Sequence, residues 1–582
     1  MGALSITVFK DTCNVYVVRT GRDAVLVDFG DGNVLDHLRD FGVERVTDVL
    51  LTHHHRDQLG GLRRAVDAGI RGWAPPAEID LIAGMDERWR WRTAWNDYDV
   101  REDRFSLLES VPVTGPVDEY RTMRFGDVEV FVLPTPGHTL GSCSYLVDGA
   151  AFTGDLVYGD GQVWSLAATQ WTYSGVEGWG STIVSAATLL EREPTVLYPS
   201  HGAPIEDPKT SLDALSERMQ RLIDLRLPRR WDVAERLREP FEAITPHLLR
   251  NRTMFATNYV LLSETGAALL IDFGYDVSTT AMPTERTARR TLLWSLDGLR
   301  RDHGVDRIEA AVVSHYHDDH VAGLNLLRDV EGAEVWAPEN VAPIIEQPAR
   351  HDLPCLWFDP IPVDRVLPFE QPFRWHEYEL TVYPLPGHTR YAAAIGFEVD
   401  GTRILVTGDQ QTDEGDRSIL NYQYRNRFVP EDFARSAALY ARLRPQLLLG
   451  GHWLPLPVTD DLLERLAADA QRLTDLHDEL LPDESFGTAG FAARIEPYRP
   501  PRGAGEVTVT VRNPFARAER ARVRIVATDG ITASPAEQEL SLDARGEGVA
   551  TFRVDAAGAG RLAADVTIGG TAFGQQAEAI VE

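Results

Sequence analysis

The chain has 582 residues, 43% of them hydrophobic and 25% charged, and a formal net charge of −30 at pH 7. That length carries several ordinary globular domains with ample core, and that much negative charge repels a phosphate-rich polymer at long range. No apolar run approaches the ~20 residues a membrane span needs, and the opening Met1-Gly2-Ala3-Leu4-Ser5 has no basic end followed by an apolar stretch. The expectation is a cytoplasmic protein that binds neither nucleic acid nor membrane. Cys13, Cys143 and Cys355 are odd in number and far apart, so no disulfide framework is expected, and all three read as small core residues.

In chain order, residues 1–205 form a first repeat, with strand signals at 6–9, 15–19, 24–28 and 128–133. Residues 206–250 read as a helical connector on the spacing of Leu212, Leu215, Met219 and Leu222. A second repeat spans 251–457, and a charged helical linker spans 458–486. From 487 to 582 the composition turns to Val, Ala, Gly and Thr, with alternating runs at 506–511, 521–527 and 548–554 and turn signals at Asp529-Gly530 and Gly569-Gly570. Runs of that length and spacing predict a small all-β sandwich that looks like the immunoglobulin-like modules appended to many enzymes.

The chemistry lies in a series of motifs that occurs twice. Ser314-His315-Tyr316-His317-Asp318-Asp319-His320 is matched by Thr52-His53-His54-His55-Arg56-Asp57-Gln58, each after a β-branched apolar run (308–313 and 46–51). Pro386-Gly387-His388-Thr389, Thr407-Gly408-Asp409 and Gly450-Gly451-His452 are matched by Pro136-Gly137-His138-Thr139, Thr153-Gly154-Asp155 and Pro199-Ser200-His201-Gly202. Upstream, Asp272-Phe273-Gly274 echoes Asp28-Phe29-Gly30. The offsets between equivalent positions run from 244 to 262, which marks an internal duplication with loop insertions. Nine of the 16 histidines fall on these positions, not counting His54, whose counterpart is Tyr316. Imidazoles and carboxylates at this density are costly to bury unpaired, and metal binding explains them economically. Alternate residues of an extended segment point the same way, so His315 and His317 face one ion, with Asp319 and His320 facing a second.

These residues resemble the metallo-β-lactamase fold superfamily over about residues 5–205 and 250–455. The resemblance implies an α/β (α+β) architecture: an αββα sandwich, duplicated in tandem, with the metals on loops at one edge. It assigns His315, His317 and His388 to a first metal, Asp319, His320 and His452 to a second, and Asp409 as the bridge. In the first repeat the corresponding residues are His53, His55, His138, Asp57, His201 and Asp155, but Gln58 stands where the sixth ligand should be histidine. An amide oxygen is a weaker donor to zinc than imidazole, so the second position there should be loosened. Zinc is the expected metal, two ions in the second repeat and one or two in the first, with iron or manganese as alternatives.

The expected function is a metal-dependent hydrolase of a small-molecule ester, lactone, thioester or amide, working through a metal-bridging hydroxide mainly in the second repeat. Asp319 and His320 are the expected catalytic residues, with Asp319 also a proton shuttle. The alternatives are a di-iron oxygenase or oxidoreductase, or a first repeat that only binds or supports. Weaker candidates for substrate contact are Trp89, Trp91, Trp95, Trp164, Trp171, Trp179, Tyr316, Tyr422, Tyr424 and Arg390. Arginine runs at 226–230 and 286–290 read as solvated helix faces. The connector and the terminal module offer surfaces for a homodimer.

Overall fold

The computed structural model describes residues 4–91, 105–169, 171, 176–226, 233–276, 289–414, 417–423, 426–480 and 493–582. Trp95 and Tyr424, the Trp91 side chain, 227–230 and 286–288 lie outside the described residues. The chain divides into two compact units. Unit 1 comprises Met1–Phe241, Arg252–Met254 and Tyr275–His303, and unit 2 comprises Glu242–Asn251, Phe255–Gly274 and Gly304–Glu582. Among the described residues no helix is long and apolar enough to cross a membrane.

Unit 1 stacks two mixed sheets. One has six strands, Leu4–Lys10, Asn14–Thr20, Asp23–Val27, Arg45–Leu50, Arg71–Ala74 and Gly115–Pro116, in chain order. Its first pairings are antiparallel and its later ones parallel. The other sheet places Val196–Pro199 beside Ala150–Gly154, followed by Cys143–Val147, Val128–Pro134 and Thr122–Phe125. In the strand Asn14–Thr20 the run Val15–Val18 is apolar without a break. Tyr16 and Val18 enter the core between the sheets, while Val15 and Val17 enter the core beneath the outer helices. A strand covered on both faces has no polar side to present. Helices Glu177–Leu190 and Pro208–Arg226 cover the second sheet's outer face through Ile183, Leu189, Leu212 and Leu215.

Unit 2 repeats the plan with a seven-stranded and a six-stranded sheet that enclose one core, from Tyr259 and Leu269 on one side to Leu380 and Ile395 on the other. Helices Pro430–Leu443 and Asp460–Leu480 cover its outer face through Leu439, Leu463 and Leu466. The segment expected to be wholly helical between the repeats differs at its end. Phe241–Thr245 and Leu248–Asn251 are strands that extend the seven-stranded sheet. Their apolar residues serve a sheet edge, which a helical spacing test over the preceding residues does not register.

Beyond residue 493 two four-stranded antiparallel sheets enclose a core of Val507, Val509, Phe552 and Val566. Here alternation is strict: Glu547–Ala556 buries every second side chain from Ala550 onward, because one face meets solvent.

Gly274 closes the second Asp-Phe-Gly motif where the chain leaves its strand. A Cβ there would lie 1.6 Å from the Asp319 carbonyl oxygen, so the ligand loop packs directly on bare backbone. Gly274→Ala is expected to cost about 1–3 kcal/mol through overpacking, and to lower metal uptake by unit 2. Thermal melting together with metal analysis checks this, and a variant that binds metal and melts like wild type contradicts it.

Candidate metal centres

Each ligand loop starts where a central parallel strand ends, at Leu50 in unit 1 and Val312 in unit 2. The carboxylate of the preceding motif fixes the exit. Asp28 and Asp272 both sit in the left-handed region with φ of 57°. Asp28 Oδ1 accepts from the Thr52 N–H (2.9 Å) and hydroxyl (3.0 Å), and Asp272 accepts from the Ser314 N–H and hydroxyl, both at 2.7 Å. Those hydroxyls also reach the Nδ1 of the first histidine, 2.9 Å to His53 and 3.0 Å to His315. The histidines His55 and His317 remain extended and cap one-turn helices, Arg56–Leu59 and Asp318–Val321. Asp57 with Gln58, and Asp319 with His320, therefore lie on helix rather than on the loop expected from sequence.

In unit 2 the expected ligands converge. His315, His317, His388 and Asp409 place one ligand atom each within 4.8 Å of one another, and so do Asp319, His320, Asp409 and His452, with Asp409 common to both groups. His388 Nε2 is 3.2 Å from His317 Nδ1. His320 Nδ1 is held by Asp272 Oδ2 at 2.8 Å, and His452 Nδ1 donates to the Phe255 carbonyl at 3.1 Å. Fixing one ring nitrogen aims the other, as outer partners of metal-bound histidines do.

In unit 1, His53, His55 and His138 form one group and Asp57, Asp155 and His201 a second. His55 Nδ1 is 3.0 Å from His138 Nε2. Gln58 does not turn an oxygen toward the second group. Its Nε2 donates to Asp57 Oδ2 and Asp155 Oδ2, both at 3.1 Å.

Among the described residues, several buried polar atoms here have no hydrogen-bond partner, including Nε2 of His53, His315, His317 and His320, Nδ1 of His138, Oε1 of Gln58 and Oδ1 of Asp409. Orphaned groups of this kind are rare and costly, and a cation between them would satisfy them. Burial, then His138, pushes the His53 pKa down to about 3, and burial, then His388, does the same for His317. These rings are therefore neutral donors. His452 behaves in the opposite way. Burial works against its charge, yet Asp409 and Asp319 outweigh burial and raise its pKa to about 10.

The family model of the metallo-beta-lactamase superfamily matches residues 8–204 and again 252–452. The chain belongs to that superfamily. Among curated relatives of this metallo-β-lactamase-superfamily chain, a hydroxyacylglutathione hydrolase of Shewanella sp. (strain ANA-3) is 30% identical over 27% of this chain and 52% of its own. The atrochrysone carboxyl ACP thioesterase of Aspergillus fumigatus is 26% identical over 34% of this chain and 40% of its own. The chain thus spans about half the length, or less, of these relatives. The native FEZ-1 metallo-beta-lactamase from Legionella gormanii is similar at 17% identity with a TM-score of 0.31, covering 41% of this chain and 96% of that one.

Other residues singled out from sequence fare differently. Trp89 and Trp179 pack against the cores of unit 1, donating to Leu107 O (3.0 Å) and Thr169 Oγ1 (3.0 Å). Trp171 also buries its indole nitrogen. Trp164 is exposed and stacks flat on His201, with ring centroids 4.1 Å apart and planes at 5°. Tyr316 is fully buried, edge-on to His317, whereas Tyr422 is exposed. Cys355 is not a core residue: it is exposed, at a left-handed turn whose carbonyl accepts the Asp318 N–H. Arg290 is not on a solvated face either. It is buried in unit 1, donates to Leu140 O at 2.9 Å and pairs with Glu119, anchoring the loop that carries His138.

Sequence reasoning missed Glu78, which is buried and accepts from the N–H groups of His54 (2.6 Å) and Gly141 (2.9 Å), tying two ligand loops together. The Trp-Ala-Pro shared by 73–75 and 336–338 sets the uncharged Val341 at the equivalent position, so the duplication did not flag it. The roles of Asp28 and Asp272 were missed too, although their motif was seen to recur.

Because metal must displace the proton that His452 carries at pH 7, zinc uptake by metal-free protein is expected to release at least about one proton per unit-2 centre. Calorimetry in buffers of different ionisation enthalpy measures this; a heat independent of buffer would exclude it.

Proposed function

We propose that unit 2 is a two-ion hydrolytic centre that cleaves a neutral ester, lactone, thioester or amide carrying an apolar acyl group. The observation that carries this reading is the convergence of His315, His317, His388, Asp409, Asp319, His320 and His452, several with buried donor atoms that have no hydrogen-bond partner among the described residues. The first three with Asp409 would hold one ion, and Asp319, His320 and His452 with Asp409 a second. Zinc bound there supplies Lewis acidity and a water activated near neutral pH. Asp319 Oδ2, 3.2 Å from His452 Nε2, is placed to take and return a proton at that carboxylate oxygen. His320 is held rigid by Asp272, and His388 Nδ1 is fixed on the Asn421 carbonyl at 3.1 Å. The names of the curated relatives, a hydroxyacylglutathione hydrolase and an ACP thioesterase, support cleavage of an acyl bond.

The apolar preference rests on what surrounds the ligands. Phe255, whose carbonyl holds His452, is 37% exposed and packs edge-on against that ring. Tyr422, next to Asn421, is 41% exposed. Leu356 pairs with His317, and two residues on Phe358 is 48% exposed. Phe255 thus meets a ligand ring directly, and Tyr422 and Phe358 follow residues that touch His388 and His317, exposed aromatic surface that gains from covering an apolar group. Arg390, two residues beyond His388, is already paired, with Glu547 of the C-terminal sheets at 2.7 Å. Unit 2 contains no lysine, since Lys10 and Lys209 are the only two in the chain.

The test combines metal analysis with an acyl series of chromogenic esters and thioesters. Chelation should abolish turnover and zinc restore it. His315→Ala should lower kcat/KM by about a thousandfold and His53→Ala by less than about tenfold. Stoichiometric iron with a visible charge-transfer band would move the reading to oxidoreduction. Separately, kcat/KM should rise at least about tenfold from acetyl to octanoyl, and Phe255→Ala with Phe358→Ala should flatten that rise. A preference for acetyl, or for anionic acyl groups, removes the apolar assignment.

A further inference from the structure

The two centres differ at Gln58 and also at a second position that compensates for it. In unit 2, Asp272 Oδ2 accepts from the Ser314 hydroxyl (2.7 Å) and from His320 Nδ1 (2.8 Å). That leaves His320 Nε2 facing Asp409 Oδ1 (3.4 Å) and Asp319 Oδ2 (3.8 Å). In unit 1 the place of His320 on the aspartate is filled from elsewhere: the Ser200 hydroxyl donates to Asp28 Oδ2. Ser200 stands where unit 2 has Gly451. A Cβ on Gly451 would lie 2.1 Å from Asp409 Oδ1 and 2.8 Å from His320 Cε1. Glycine at 451 leaves room for both Asp409 and His320, and in unit 1, where glutamine replaces that histidine, serine takes the place of the glycine.

Freed from the aspartate, Gln58 bridges Asp57 and Asp155 through its amide nitrogen, 3.1 Å to each. Turning the amide over would set its oxygen against two carboxylates. The last histidine does not distinguish the centres. His452 has Nε2 toward Asp319 and Asp409, at 3.2 and 3.3 Å, and Nδ1 on the Phe255 carbonyl. His201 has Nδ1 on Asp155 Oδ1 at 2.8 Å, with Nε2 3.4 Å from Asp57 Oδ2 and 3.2 Å from the Thr12 carbonyl. Asp57, Asp155 and His201 lie close enough to share an ion, and the difference from unit 2 is the Gln58 amide nitrogen, which stands between the two carboxylates.

We propose that unit 1 is built as a single-ion centre, in which Gln58 and Ser200 act as a matched pair that closes the second cation position. This rests on reading unit 2 as a two-ion centre. It follows that Gln58→His alone does not open the position, because Ser200 already occupies Asp28 and crowds the new ring. Gln58→His together with Ser200→Gly does.

The experiment uses the full chain, stripped of metal, titrated with zinc against a chromogenic chelator and counted by elemental analysis after desalting. His53→Ala is expected to lose about one ion, and His315→Ala with His452→Ala about two. Gln58→His should match wild type, and Gln58→His with Ser200→Gly should gain about one ion of similar affinity. Loss of two ions from His53→Ala, a gain in the single variant, or no gain in a double variant that melts cooperatively would each overturn the proposal. Should the double variant not fold, titration of wild type decides alone. A further uptake step that disappears in His53→Ala overturns the proposal, and its absence upholds it. If the unit-2 variants lose only one ion, it is the two-ion reading of unit 2 that fails.

Discussion

A carboxylate buried at the end of a parallel strand, in left-handed backbone, holds each centre in place. Asp28 and Asp272 take the N–H and hydroxyl of the residue that opens the histidine loop, and those hydroxyls orient the first imidazole. The charge is tolerable in the interior only because every lone pair facing the loop is used. Burial pushes the Asp28 pKa up to about 7 even so, against the hydrogen bonds from Ser200 and Thr52. The further partner of each aspartate's Oδ2 then differs between the sites: in unit 2 it is the candidate ligand His320, and in unit 1 the Ser200 hydroxyl.

The sandwich around these loops supplies rigidity rather than chemistry. Strands buried on both faces leave the chain free to be polar only where it exits a sheet, so the ligands collect at strand ends. Supports then reach the loops from distant sequence. Glu78 ties the His54 and Gly141 backbones, and Arg290 holds Leu140. In unit 2 the C-terminal sheets do comparable work. Glu547 pairs with Arg390 just beyond His388, and the Ala493 carbonyl accepts from Arg427 at 3.3 Å. A module that reads from sequence as a bland appendage therefore contacts the loop of a ligand.

The duplication, the sandwich and the clustering of the candidate ligands were legible because they rest on local signals: apolar runs, glycines at tight exits, and histidines at recurring offsets. The supports were not legible. Arg290 sits in a run of arginines that looks like any solvated helix face, and only packing takes it inside. Phe255 and Phe358 carry no motif, and their relevance comes from carbonyls and strand bridges that touch histidines. Cys355 looked apolar enough for a core, but a left-handed turn puts it outside.

By itself the sequence determined that two copies of one metal-binding plan exist, which side chains are candidates for the ions, and that the copies are unequal at Gln58. Only the tertiary structure decided what that inequality does. Ser200 and Gln58 lie 142 positions apart, and their coupling passes through a buried aspartate on a third segment. Hydrogen-bond capacity and the volume beside one carboxylate are properties of space, which linear order does not record.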